Sequence, residues 1–410
     1  MQADFLIQNG RVVDPSQAID RVMNIAIADG KIVALDAPHD TTAKQTFDAS
    51  GKLVSPGFID IHAHVSSDLV SLAVTPDEAG VTAGCTAVSD AGSVGYLHLH
   101  PFRKFAIAPA RTDVFVFLNV SPFGEVVLPE VGFDIVDEAE FLKVIEANRD
   151  IVKGIKLRAI GELIYANKVD VVDLAVRIAR KAGLPLMIHL GMGFDEPLTE
   201  DEIASFITRM LGRCEKGDIL THAFTDKPGG VFRLDGTPIA GLEDALARGV
   251  YLDAASGRGH INFNLVKAAL AHGFAPQALG TDVVRLPDEQ PHFYNVAAVA
   301  SKFMALGMSL NDVIAAATCN PAKMLNEQEK RGSLKVGMTA DLSILGYHEG
   351  EFLLHDGRAG NVIAGNIFLS PQMTVKRGEM IQVRESHSSH VPERKMMEDL
   401  LQKMKKGVAR

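Results

Sequence analysis

From Ser55 to Asp68 the chain reads SPGFIDIHAHVSSD. An apolar run leads straight into two histidines, His62 and His64, one residue apart. Alternate residues of a strand share a face, so both imidazoles point the same way. Two neutral imidazole nitrogens on one side suit a single metal ion. The pair alone is a weak signal, because HxH also arises by chance. A second one, His98-Leu99-His100, lies in YLHLHPFRKF, a loop or helix start, and reads as surface or pocket wall. The rest of the chain must decide what the first pair is for.

Working outward, residues 56–331 alternate short apolar runs with helical patterns. The runs are GFIDIH, CTAVSD, DVFVFLNV, VKGIKLR, LPLMIHL, DILTHAF, GVYLDA and PQALGTD. Between them lie amphipathic stretches such as EAEFLKVIEANRD, VDLAVRIARKAG and EIASFITRMLGR, several ending in Gly or a basic residue as helix C-termini do. Eight strand-then-helix units predict an α/β chain folded as a (β/α)8 TIM barrel. A doubly wound open sheet is the alternative, but no Gly-rich nucleotide loop follows the first run. The two chain ends differ from this rhythm. DFLIQNGRVVD and NIAIADGKIVALD carry the hairpin dipeptides Asn9-Gly10 and Asp29-Gly30, and TVKRGEMIQV carries Arg377-Gly378. Residues 1–55 and 332–385 therefore read as one small β-sandwich, since the first part alone is too short to bury a core. Residues 386–410, with apolar pairs at 396/397 and 400/401 and then Met404, read as an amphipathic helical tail.

Composition narrows the function. The chain has 410 residues, 47% hydrophobic and 22% charged, with a net charge of -10. That supports a large core and argues against a nucleic-acid surface. Three scattered cysteines form no framework, the start MQADFLIQNG lacks the pattern of a signal peptide, and no apolar run spans a bilayer. A cytoplasmic protein, not bound to membranes, is expected.

The strand ends carry the chemistry. Lys156 lies in the fourth run, His189 ends the fifth, His222 the sixth, and Asp282 the eighth. In a (β/α)8 barrel all these ends open on one face, where active sites sit. A single buried His or Lys is usually a satisfied core residue. Five strands that bring metal-competent or proton-transfer groups to one rim are hard to explain as packing.

This pattern resembles the amidohydrolase superfamily over nearly the whole chain. PGFIDIHAH matches its first-strand signature, and the lysine, two histidines and final aspartate follow in its order. NPAKMLN and GSLKVGMTADLSIL are also typical. DAGSVG, FLNVS and KLR point to the dihydroorotase-related branch of small-substrate deacetylases.

The resemblance implies two divalent metals, zinc before others. His62, His64 and Asp282 would hold one, His189 and His222 the other, with Lys156 bridging both as a CO2-derived carbamate. It further implies hydrolysis of a small acyl compound by a water that the metals make nucleophilic, with Asp282 passing the proton to the leaving group.

Arg158, two residues past Lys156 on the same strand face, with Arg258 after the seventh run, would grip a substrate carboxylate. Otherwise Arg158 ties one loop to another through an Asp or Glu. His260 is a candidate pocket-wall or substrate residue. Dihydroorotases place an Arg just after HxH, where this chain has VSSD. Cyclic amidases, N-acyl-amino-acid deacylases and isoaspartyl dipeptidases are neighbouring readings, and a metal-free scaffold would be expected to have lost ligands. A homo-oligomer is expected.

Overall fold

The computed structural model describes residues 2–38, 40–128, 130–159, 170–191, 198–257, 259–285, 295–355 and 361–384. The N-terminal segment forms β1 (Gln2–Asp14), β2 (Ile19–Ala28), β3 (Lys31–Leu35), β4 (Thr42–Asp48) and β5 (Lys52–Pro56). Asp29-Gly30 joins β2 to β3 through two left-handed residues, φ 50° and 68°, as a two-residue hairpin requires. Asn9-Gly10 does not turn the chain as expected. β1 runs through it with a bulge, where Asn9 takes φ 60° and its N–H bonds the Asn24 side chain. A Cβ at Gly10 would lie 2.6 Å from the Val54 side chain, so the glycine lets β5 approach.

The middle of the chain supplies seven parallel strands: β6 (Phe58–Ala63), β7 (Cys85–Asp90), β8 (Asp113–Asn119), β9 (Val152–Arg158), β10 (Leu186–His189), β11 (Ile219–Thr221) and β12 (Tyr251–Asp253). They pair in chain order. The eighth expected strand is reduced to single bridges, Asp253 with Ala278 and Ala63 with Val283. Residues 278–283 nevertheless join the two edges of the sheet. Ser256 N–H donates to the Gly280 carbonyl at 2.9 Å, and Asp282 N–H to the His62 carbonyl at 2.7 Å. Full strand geometry is lost because Asp282 turns left-handed at φ 54°. Gly280 is required there, since a Cβ would meet that of His62 at 2.6 Å.

Ile59, Ile61, Phe115, Phe117, Met187 and Ile219 fill the interior, with Met324 and Leu325 packed into the same cluster. Outside, helices Glu138–Ala147, Asp170–Ala182, Glu200–Arg213, Phe263–Ala271 and Val296–Leu306 cover the strands. Among the described residues no helix is long and apolar enough to cross a membrane.

The chain then returns as β13 (Leu342–His355), β14 (Val362–Lys376) and β15 (Glu379–Gln382). Arg377-Gly378, both left-handed, make the β14–β15 hairpin. β13 pairs with β5, so the two ends form one continuous eight-stranded sheet. Its core is Ile7, Val12, Ile25, Ile27, Leu342 and Ile344 with their neighbours. Lys376, almost fully buried, locks this sheet to the barrel through Asp113 at the start of β8 and Asp341, each at 2.7 Å. The tail 386–410 lies outside the described residues.

Candidate active site

β6 ends in the His62–His64 pair, and the carboxylate of Asp282 stands before both rings. Its Oδ1 is 3.3 Å from His62 Nε2 and 3.3 Å from His64 Nε2. The far side of each ring is held. Thr221 at the end of β11 donates its hydroxyl to Asp253 Oδ2 at 2.7 Å, so its oxygen, 2.6 Å from His62 Nδ1, accepts from that ring. His64 Nδ1 faces Ser93 Oγ at 2.8 Å and Glu125 at 3.3 Å. Hydrogen bonds of this kind fix the tautomer and aim the other nitrogen inward. The Asp60 carboxyl accepts the backbone N–H groups of His62 and Thr281, and burial pushes it up to about 7.

Lys156 Nζ, fully buried on β9, lies 3.5 Å from His62 Nε2. Burial pulls its ammonium down to about 8, against the attraction of Asp282 and Glu125. Across the mouth, the rings of His189 and His222 have centroids 4.3 Å apart, and His260 stacks on His222 at 4.2 Å. Burial holds His189 and His222 well below the usual imidazole range and His260 down to about 4, so all three are neutral. Burial works against charge on His64 too, but Glu125 and Asp282 win and raise it to about 9. Asp282 is well below the carboxylate range: burial opposes its charge, and the bonds from His62 and His64 outweigh it.

This arrangement fits cations. His222 Nδ1 is 3.0 Å from the Ala255 carbonyl, which can only accept, so that nitrogen carries the proton. Its Nε2 is then a lone pair, buried and without a hydrogen-bond partner. Two groups of ligand atoms lie within 4.8 Å of one another: His62, His222 and Asp282, and His189, His222 and His260. Buried polar atoms left unpaired are costly, and neutral imidazoles with carboxylates are the donors a zinc-type ion takes. Sharing of His222 makes the two groups adjacent.

Arg158, at the end of β9, is engaged. Its Nη1 lies 2.9 Å from Glu130, whose side chain is only 1% exposed, and Glu125 is 3.9 Å from its Nε. The loop tie is therefore present. Arg258 lies outside the described residues. The second HxH takes no part: His100 is exposed and His98 lies near the Phe123 ring. Sequence reasoning assigned no role to Thr221, Asp253, Ser93, Glu125 or Glu130. Asp253 ends its strand as His189 does, and that position was the available signal. Glu125 and Glu130 stand in a loop with no periodicity to mark them.

The amidohydrolase family profile matches residues 53–383. The chain belongs to the amidohydrolase family. A deacetylase of Agrobacterium fabrum is 32% identical over 356 residues, covering 84% of this chain and 83% of that protein. A crystal structure of an adenine deaminase superposes with a TM-score of 0.81 at 30% identity, over 93% of this chain and all of that one. A crystal structure of a dihydroorotase gives 0.77 at 28% identity, over 92% and 97%. This amidohydrolase thus stands in the branch that its strand-end motifs resembled.

Proposed function

We propose that this amidohydrolase is a binuclear, metal-dependent hydrolase that removes an acyl group, of the acetyl type, from a small acid through its amide or ester bond. The observation that carries the reading is the meeting of His62, His64, Lys156, His222 and Asp282 from four separate segments at one mouth. His62, His64 and Asp282 would hold one divalent cation, and His189 and His222 the other, with zinc favoured by the imidazoles. Lys156 would bridge them as a carbamate: a protonated ammonium repels cations, whereas a carbamate offers two anionic oxygens. When bound, such cations supply Lewis acidity and a nucleophilic water at neutral pH.

The protein's own residues do the rest. Thr221 and Ser93 keep the Nε2 atoms of His62 and His64 turned inward. Asp282, which stays ionised, accepts the proton of the attacking water and returns it to the departing nitrogen or oxygen. A guanidinium has five N–H donors. Arg158 can thus hold Glu130 and offer donors to a substrate carboxylate at once.

We further assign catalysis to residues 56–331 and a supporting β domain to the two chain ends, in a cytoplasmic homo-oligomer. Free, buried Cys85, Cys214 and Cys319 suit a reducing compartment.

A panel of N- and O-acetylated 2-amino and 2-hydroxy acids, their neutral amides, dihydroorotate and adenine tests the reading. Acetate release that requires added metal supports it. Turnover of the ring substrates alone would replace it with a cyclic amidase or deaminase. Equal KM for acids and amides would remove only the carboxylate anchor.

A further inference from the structure

We propose that His260 is a third imidazole ligand of the cation held by His189 and His222, a role outside the ligand set given above and resting on it. Residues Ala254–Gly257 and then Gly259 bring it there. After β12 the chain is pinned by Ser256 N–H to the Gly280 carbonyl at 2.9 Å. It passes Asp282 so closely that a Cβ at Gly257 would lie 2.1 Å from the carboxylate, so only glycine fits. His260 N–H then bonds back to the Gly257 carbonyl at 2.9 Å. This turn folds the imidazole onto the cluster, stacked on His222 at 29° and edge-on to His189 at 5.2 Å.

Packing alone explains this poorly. Three imidazoles brought together without a cation should share protons, each N–H facing a neighbour's lone pair. Here His222 Nε2 and His260 Nδ1 are both buried without a hydrogen-bond partner. One nitrogen from each of the three rings nevertheless falls within a common 4.8 Å. Three imidazoles that each bring a ring nitrogen within 4.8 Å of the others, two of the rings with a buried unpaired nitrogen, make a tridentate site. Its ligands are all neutral, so a divalent ion there keeps its full positive charge apart from what the bridging group supplies. That makes it the stronger electrophile of the pair for a substrate carbonyl.

Cobalt(II) titration of the metal-free protein with bicarbonate present separates the possibilities, read by absorption spectra and calorimetry. The wild type should take two equivalents. His260→Ala should keep one and bind the other about tenfold or more weakly, since even partners behind a ligand are worth about 10- to 100-fold. His260→Gln keeps side-chain polarity but is a poor cobalt ligand, and should show the same loss with an altered spectrum. Circular dichroism of the metal-free variants checks the fold, and either variant suffices if the other does not fold. Two unweakened equivalents in both variants, with only KM raised, would overturn the proposal and make His260 a substrate contact. A wild type that takes no metal would instead overturn the binuclear reading itself.

Discussion

The hydroxyl of Thr221 stands 2.6 Å from Nδ1 of His62, and it donates its own hydrogen bond to Asp253. A buried carboxylate thereby orients an imidazole on the opposite edge of the sheet through one shared hydroxyl. Thr221→Val keeps the shape and removes the hydroxyl. Affinity for the cation at His62 should fall about 10- to 100-fold with little change in fold. Thr221→Ser should restore it. Metal titration of both variants is the check, and unchanged affinity in the valine form would reduce Thr221 to packing.

Asp282→Asn should fold, because Asn tolerates the left-handed backbone found at this position. Loss of the proton acceptor should cost about 10²- to 10⁴-fold in kcat. Steady-state kinetics on whichever acetylated acid is turned over, with bound metal measured in parallel, reads this out. Near-normal turnover would move the proton transfer to another group.

Lys156 makes the metal-free protein pH-sensitive in a defined window. Its amine titrates at about 8 in the fold, against an ordinary value of 10.5. Between those values the unfolded chain binds the proton and the native chain does not, so this group's contribution to stability rises with pH. The total is on the order of a few kcal/mol. Urea denaturation of metal-free wild type and Lys156→Met at pH 8, 9 and 10 should show the wild type gaining on the variant. A constant difference would contradict this titration. Because CO2 adds to the neutral amine, recovery of metal binding at equal dissolved CO2 should also be faster at pH 9 than at pH 7.

Arg158 and Glu130 form a pair whose carboxylate is nearly inaccessible. Arg158→Met leaves that charge alone and should cost about 3–5 kcal/mol. The double change Arg158→Met, Glu130→Leu should recover much of it. Thermal denaturation distinguishes this from a guanidinium that serves substrate only, for which the single change would raise KM and leave Tm alone.

The strand ends were legible because a barrel imposes them. Each run of apolar residues had to stop at the rim, and the polar residue at the stop was His62, Lys156, His189, His222 or Asp282. Chemistry and position are both local there, so residue order sufficed. Asp29-Gly30 was legible for the same reason: two left-handed residues make a turn wherever they occur. Asn9-Gly10 has equal local chemistry and became a bulge, because the approach of Val54, from β5, is a tertiary fact.

The same division holds in the site. The sequence by itself determined the barrel, the metal-competent rim and the order of its candidate ligands, since period and residue type encode them. Only the tertiary structure decided which residues back those candidate ligands. Ser93, Glu125, Thr221 and Asp253 come from four separate stretches, and nothing in their local spacing sets their distance from an imidazole. His260 shows it most plainly. One histidine in SGRGHINF has no periodicity, and its place against His189 and His222 follows from a loop bent tightly over Asp282, a conformation fixed by contacts distant in the chain.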